Sequence, residues 1–280
     1  PAVQEIRSTR LSHVRSVGLV SLLRIMKIAV CIKQVVTRDW PLRVDETGQW
    51  VRDRDASFEM NEPDAYALEE ALRLKEQHGG EVVVCSAGPS RVSQVLREAL
   101  ARGADRAIHV ESDVLATADT LTMGKVLADA LRGEAPDLVL TGLQSDDQGF
   151  GQTGVVVAEL LRIAHSTIIM EVQISGEDHI RVKRELEGGW FQWVVMPTPA
   201  LLTIQSGINQ LRYATLRGIM AAKKKEVRKV EPEVTTGESS QVVVDLYVPE
   251  KGKKTRFIEG SSTEAARELV RALREDVNVF

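Results

Sequence analysis

"DLVLTGLQSDDQGFGQTGVVVAELLRI", Asp137 to Ile163, joins a short apolar run of strand type to a longer helical period through a polar, glycine-rich turn. The same step recurs three times upstream. "KIAVCIK" (27–33) leads through the irregular segment 34–60 into a helix from about Glu62, whose inward stripe is Ala65, Leu68, Ala71 and Leu72 and which "HGG" at 78–80 ends by glycine capping. "EVVVCSAG" (81–88) is followed by Val92, Val95, Leu96, Ala99 and Leu100 at helical spacing, and "RAIHV" (106–110) by a helix from about Ala118 to Leu131. Alternating strands and helices predict an α/β fold: a Rossmann-like, open, mostly parallel sheet.

After Ile163 the rhythm changes. "STIIMEVQISGEDHIRVKREL" (166–186) reads as two strands around a tight "SGED" turn, and "WFQWVVMPTPALLTIQ" (190–205) as two more with prolines at the join. The sheet therefore gains antiparallel members on one side. From Lys223 the chain is charged and contains Pro and Gly, with one apolar run at "QVVVDLYV" and a final amphipathic helix, "SSTEAARELVRALRE", capped by Ser261 or Ser262. The expected organisation is an N-terminal extension over 1–25, an α/β nucleotide-binding domain over 26–222, and a C-terminal arm with its helix over 223–280.

In open parallel sheets ligands bind outside the carboxyl ends of the strands, which directs attention to the loops there. In the loop from Gly142 to Leu160, Gly142, Gly149, Gly151 and Gly154 let the backbone turn and approach a ligand, and a helix starting near Gln152 points free N–H groups at it. A phosphate suits that position, although the loop is neither a G-x-x-x-x-G-K-[ST] nor a G-x-G-x-x-G motif. Asp146 and Asp147 are awkward for an anion site unless they point at ribose hydroxyls or cap the helix. "MNEPDAYALEEALRLKE" opens the first helix with Asn61 at the N-cap and Pro63 in the first turn, and capping explains most of that pattern. "SAGPSR" (86–91) is ordinary turn chemistry. "RVKRELEGGW" (181–190) is less ordinary: Lys183, Arg184, Glu185 and Glu187 precede a Gly-Gly turn and then Trp190, Phe191 and Trp193, a composition suited to an interface.

The bounds are consistent with a binding protein. The chain has 280 residues, 43% hydrophobic and 27% charged, with a net charge of −4, enough for a sizeable core and nothing in the balance to recruit nucleic acid. Cys31 and Cys85 lie in separate apolar runs without metal spacing, pointing to a reducing compartment and no structural zinc. No apolar run approaches membrane-spanning length. The first 25 residues, with four Arg and a single acid, read as a targeting segment, an extra helix, or upstream sequence before a start at Met26, and the last is favoured. His13, His78, His109, His165 and His179 have no ligand spacing, and no nucleophile motif is present. A nucleotide pocket without evident chemistry suits an electron carrier or binding protein better than a hydrolase.

"VKRELEGGWFQWVVMPTPALLT" resembles the signature of the electron transfer flavoprotein β subunit: a basic residue, an acid, two glycines, a Gln and a proline ahead of the next strand. "MNEPDAYALEEALRLKE", "GADRAIHV", "QTG" and "RYATLRGIMAAKKK" are similar to the family's other landmarks in the same order, from about Met26 to the C-terminal helix. The resemblance implies the adenine nucleotide α hydrolase-like fold and a heterodimer with an α subunit, in which flavin adenine dinucleotide (FAD) is bound mainly by α and the C-terminal arm of β wraps α. It further implies that electrons come from acyl-CoA or other flavin dehydrogenases and pass toward the respiratory chain through a quinone reductase. The compartment would be the bacterial cytoplasm, or the mitochondrial matrix in a eukaryote.

The β subunit typically holds adenosine monophosphate (AMP). Carried over, that pocket uses Cys31, Asn61, Glu62, Pro63, Asp64 and Ala87, with the loop residues Asp147, Gln148, Gly149, Phe150, Gly151, Gln152, Thr153, Gly154, Val155, Val156 and Val157. The loop departs from better-known members, with Phe150 and an extra glycine where those carry an acidic run. Some relatives bind a second FAD there and bifurcate electrons from NADH. The resemblance makes Arg212, Tyr213, Ala214, Thr215 and Leu216 a docking loop with Leu216 as its anchor, Ile219 and Met220 fastening its far end to the body. It makes Glu185 the acid that tethers the flavin-carrying domain of α. Two other classes compete: a stand-alone stress-protein-like nucleotide-binding module, against which the arm and "RYATL" argue, and an adenosine-nucleotide hydrolase, whose Ser-Gly-Gly loop is replaced by "CIKQVV".

Overall fold

A strand covered on both faces must be apolar throughout, whereas one with a solvent face can alternate. The computed structural model, which describes residues 25–176, 178–232, 239–249 and 255–277, sorts the strands in that way. In chain order the elements are β1 (Lys27–Cys31), β2 (Gln34–Val36), β3 (Phe58–Met60), α1 (Glu62–His78), β4 (Glu81–Gly88), α2 (Ser93–Arg102), β5 (Arg106–Glu111) and α3 (Thr120–Arg132). They continue with β6 (Leu138–Gly142), α4 (Thr153–Leu161), β7 (Ala164–Ile174), β8 (His179–Glu185), β9 (Phe191–Pro197), β10 (Ala200–Ile204), α5 (Leu216–Ala222), β11 (Val227–Val230) and α6 (Ser262–Glu275). The main sheet has nine strands in the order β11-β5-β4-β1-β6-β10-β7-β8-β9. Its unbroken apolar strands β1, β4, β6 and β10 are parallel members inside it. β8 alternates, with Ile180 and Val182 buried and His179 and Arg181 exposed, and it runs antiparallel between β7 and β9.

Helices cover the two faces. On one, Leu68 of α1 and Leu96 of α2 pack with Ile28, Val84 and Leu140; on the other, Leu127 and Leu131 of α3 and Val157 of α4 pack with Ala29, Val83 and Val139. Burying one such large side chain contributes about 1.5–3 kcal/mol, far more than the helix propensity of any single position. The antiparallel additions are those expected. Their placement adds a point the prolines did not disclose: β10 does not stay beside β9 at the edge but inserts parallel between β6 and β7. The uninterrupted "ALLTI", every residue buried, is the local sign of that interior position.

Two elements differ from expectation. The segment 34–60, read as irregular, contains the antiparallel pair β2 and β3. The segment after Lys223 contributes β11, parallel to β5, so the main compact unit, which takes in the described residues of 25–41 and 53–242, continues past residue 222. A second unit, 42–52 and 243–280, holds a small loop closed by the Val44–Val51 bridge, whose Gly48 carbonyl accepts from the Leu246 N–H, and the helix α6. Ser261 caps α6 in a full capping box with Glu264, and Arg256 pairs with Glu268 and Asp276. "QVVVDLYV" forms no strand, and Val242, Val244, Tyr247 and Val248 are exposed. The N-terminal extension, apart from Ile25, lies outside the described residues.

Candidate functional site

From β1 the chain steps through β4 to β5 on one side, then returns to place β6 on β1's other flank. α1 and α2 lie on one face and α3 and α4 on the other, so the connections leaving β1 and β6 diverge and open a crevice at their carboxyl ends. Many of the residues expected at a nucleotide pocket lie on the segments that meet at this reversal point.

Asp64 binds the two strands together. Its Oδ2 accepts from the Lys33 N–H at 2.8 Å and its Oδ1 from the Gly142 N–H at 2.8 Å. Burial pushes its carboxyl up to about 6, outweighing these two backbone donors, the contact with Asn61 and the Lys33 charge. Cys31, at the end of β1, is also buried, and burial, then Cys85 and Asp64, pushes its thiol well up, so it is an inert wall rather than a nucleophile. Gly142 is required by this packing: a Cβ there would lie 2.5 Å from Asp64 Oδ1 and 2.7 Å from the Pro63 carbonyl carbon. Gly142→Ala should therefore destabilise the domain by about 1–3 kcal/mol, since part of the clash is with backbone that cannot rotate away. A thermal melt reads this as a fall of several degrees, and an unchanged midpoint would contradict so tight a junction.

Asn61 occupies the N-cap position of α1, but its side chain does not cap the helix. This corrects the capping explanation. Nδ2 donates to the Gln144 carbonyl at 3.0 Å and Oδ1 accepts from the Asp146 N–H at 2.9 Å, so Asn61 fixes the loop after β6 instead. Asp146 returns the service, its Oδ2 accepting from the Glu62 N–H at 3.2 Å while Oδ1 meets Arg38 at 3.1 Å. The helix that Asp146 caps is thus α1 rather than α4. Asp147 pairs with Lys33, Nζ to Oδ1 at 2.7 Å; partial burial pushes its carboxyl up, but the Lys33 ammonium prevails and holds it below its ordinary range. Lys33 and Arg38 escaped the sequence reading. The signal was two bases in "CIKQVVTR" against two otherwise awkward acids in "SDDQ".

With both acids engaged, the start of α4 suits an anion. Gly149 and Gly151 take positive φ of 66° and 63°, curling the loop toward Thr153, and no side chain caps α4. Gly154 lets α4 approach the sheet, where a Cβ would lie 2.7 Å from Thr141 Oγ1 and 2.8 Å from Thr203 Cγ2. The donor set fits a nucleotide phosphate. Not every carried-over residue presents its side chain: Val157 lies in the core, and Val156 Cγ1 fills the space beside Gly124 of α3. Gln152 and Phe150 are exposed, Thr153 and Val155 are half-buried, and Ala87 is half-buried at the end of β4. Ser86 beside it is buried and donates to the Ile32 carbonyl at 2.6 Å, closing the crevice floor.

The segment around Tyr213 is built from both ends. Arg212 is a clamp, its Nε and Nη2 reaching the two oxygens of Glu69 at 2.8 and 2.9 Å, with Glu76 as second partner. Thr215 caps α5, accepting from the Gly218 N–H at 3.0 Å. Between these fixed points Tyr213 is 89% exposed and Leu216 85%, with Ala214 half-buried. The expectation that Ile219 and Met220 fasten the far end is overturned, because both are exposed. Gly218 does it, its hydrogen side packed against the Ala101 carbonyl of α2, together with buried Ala222. The helices also cap one another: Arg97 donates to the Ala222 carbonyl at 2.7 Å, and Lys225 to the Leu100 carbonyl at 3.0 Å. Arg212→Gln should free the loop while leaving this reciprocal capping intact, raising protease cleavage near Tyr213 severalfold, with a loss of about 1–3 kcal/mol because the buried Glu69 carboxylate loses its bidentate partner.

Glu185 closes β8 and accepts from Gln205 Nε2 at 3.4 Å. On the edge strand β9, Phe191 and Trp193 remain 47% and 38% exposed, under Lys183 at 4.3 Å and Arg181 at 4.1 Å. Arg181 and Lys183 thus share one sheet face with Trp193 and Phe191, while Arg184 lies on the opposite face. Among the described residues no helix is long and apolar enough to cross a membrane.

An open α/β domain with polar residues gathered at its reversal point, together with a clamped and exposed apolar loop, has the architecture of a binding protein. Comparison with known proteins makes this specific: the family model "Electron transfer flavoprotein domain" matches residues 49–235. The chain is 39% identical to the electron transfer flavoprotein subunit beta of Methylophilus methylotrophus, covering 89% of this chain and 98% of that protein. Against the same-named subunit of Bacillus subtilis it is 35% identical over 85% of this chain and 93% of that one. Against the mitochondrial subunit of Oryza sativa subsp. japonica the identity is 37% over 91% and 100%. The chain belongs to the electron transfer flavoprotein β-subunit family, whose members are electron carriers rather than enzymes.

Proposed function

We propose that this subunit pairs with an electron transfer flavoprotein α subunit, accepts electrons from acyl-CoA or other flavin dehydrogenases, and passes them through a quinone reductase toward the respiratory chain. FAD is held mainly by α, and Glu185 steadies the flavin-carrying domain from the β side. The extended, apolar 241–248 segment and α6 wrap α. The single observation that carries this reading is the loop from Arg212 to Thr215, clamped at one end and capped at the other while Tyr213 and Leu216 stand almost wholly in solvent. Ile219 and Met220 continue that apolar face one turn along α5.

In the crevice, AMP serves a structural role. Its phosphate meets the first turn of α4, Gly149 and Gly151 admit it, and Asn61, Asp64 and Cys31 form the wall. FAD supplies the redox chemistry when bound; the β chain's residues orient and exclude water. Co-expression with an α subunit, followed by chromatography of released nucleotides, should give one FAD and one AMP per heterodimer. Two FAD would replace the AMP reading with a bifurcating one. A monomer that hydrolyses ATP and acquires no flavin beside α would overturn the assignment.

A further inference from the structure

Lys33 extends its side chain from the end of β1 to the loop after β6. Its backbone is immobilised on both sides, the N–H by Asp64 and the carbonyl by the Asn61 N–H at 2.9 Å. Its ammonium then meets Asp147 Oδ1 at 2.7 Å and Gln148 Oε1 at 3.1 Å, with Ser145 Oγ at 3.5 Å. Ser145 is also the start of the turn that Gly149 closes, its carbonyl accepting the Gly149 N–H at 2.9 Å. One cation therefore touches three of the four polar residues at 145–148, in the turn that delivers the chain to α4.

We propose that Lys33 is a latch: a positioning residue that fastens the 145–149 turn to β1 and cancels the charge of Asp147, so that the start of α4 accepts the phosphate of a nucleoside monophosphate. This deepens the nucleotide reading above and rests on it. The chemistry follows from the charges. An unpaired Asp147 beside the bound phosphate would repel it, and the pairing removes that repulsion without spending a donor of the helix terminus. Arg38 does the same for Asp146 from one step further along the chain, at 3.1 Å. Lys33 is about one-third exposed, so the pair adds little to global stability, and its effect is local.

Hydrogen exchange on the full-length chain, alone and with added AMP, tests the latch. Lys33→Met keeps the stem and removes the charge; Asp147→Asn removes the other partner. In nucleotide-free protein each change should speed exchange of the Gly149 amide, which bonds the Ser145 carbonyl, about tenfold, and the double variant should be no faster than Lys33→Met alone, because Lys33→Met already loses the Asp147 contact. AMP affinity should fall roughly tenfold in Lys33→Met and recover in part in the double variant, where the stranded acid is gone. If Lys33 instead binds the phosphate directly, affinity falls without recovery and the turn amides exchange unchanged, which overturns the latch. Faster exchange throughout the sheet would also overturn it, by making Lys33 a fold residue. Should the wild-type chain bind no AMP, the nucleotide reading fails, while the amide exchange still decides whether Lys33 fastens the turn.

Discussion

Leu216→Ala is expected to lower electron transfer from a dehydrogenase by about 30-fold in kcat/KM, while flavin content and melting temperature stay where they are. Both halves follow from exposure. A side chain 85% in solvent has almost no folding contacts to lose, so the substitution stays within about 0.5 kcal/mol of wild-type stability. Leu216 is also the first residue of α5, where alanine is a better helix former than leucine, and the cap comes from Thr215, which is untouched. The docking loss is that of a central hot spot, about 2 kcal/mol, which is the 30-fold. Steady-state reduction of the heterodimer by a flavin dehydrogenase, set beside reduction by dithionite, separates docking from flavin chemistry. Normal turnover in Leu216→Ala would remove the loop from the docking surface, whereas a fall of several degrees in melting temperature would place Leu216 in the core.

Tyr213→Ala should act on the same encounter and combine with Leu216→Ala less than additively, since one partner pocket would receive both. Arg212 behaves differently. Its guanidinium is spent on Glu69 and Glu76, so its expected effect on docking is through the position of its neighbours. The sequence reading placed all five residues of the loop in one role. The structure divides them into a clamp, a cap, an exposed apolar pair and the half-buried Ala214.

That division shows what was legible beforehand. β1, β4, β5 and β6 could be read because apolar runs of that length between helical periods have few other destinations, and the glycines of the 142–154 loop could be read because only they tolerate its turns and close contacts. β11 could not. Its four residues include Arg228 and Lys229, which look solvated in isolation and are paired in the fold with Glu134, after α3, and with Glu111 of the neighbouring β5. Asn61 had every local mark of a cap, and a contact with Asp146, 85 positions away, won its side chain instead. Lys33 went unnoticed for the same reason: its partners are contributed by a loop more than a hundred residues downstream. Local propensity names the elements, but the polar wiring of the crevice is a tertiary property.

The largest effect on the fold is expected at Asp64. Its replacement by alanine leaves the Lys33 and Gly142 N–H groups without their acceptor at the junction of β1 and β6. Each stranded donor costs about 1–3 kcal/mol, so the pair removes roughly 2–6 kcal/mol, a large part of the 5–15 kcal/mol that domains of ordinary stability possess. Asp64→Asn keeps one acceptor oxygen but turns an amide N–H₂ toward the other donor, and should cost about half as much. The pH dependence is separately informative. In the folded chain burial raises this carboxyl to about 6, above the ~3.9 of an unfolded aspartate, so the folded state binds more protons between those values. Its contribution to stability is therefore complete below about pH 4 and is lost as pH rises through 6, by about 3 kcal/mol in total. Urea titrations of wild type and Asp64→Asn at pH 4.5, 5.5 and 6.5 should show the wild-type advantage shrinking toward the higher pH. An advantage that grows instead would mean that the two backbone donors outweigh burial and that Asp64 is charged in the fold across this whole range.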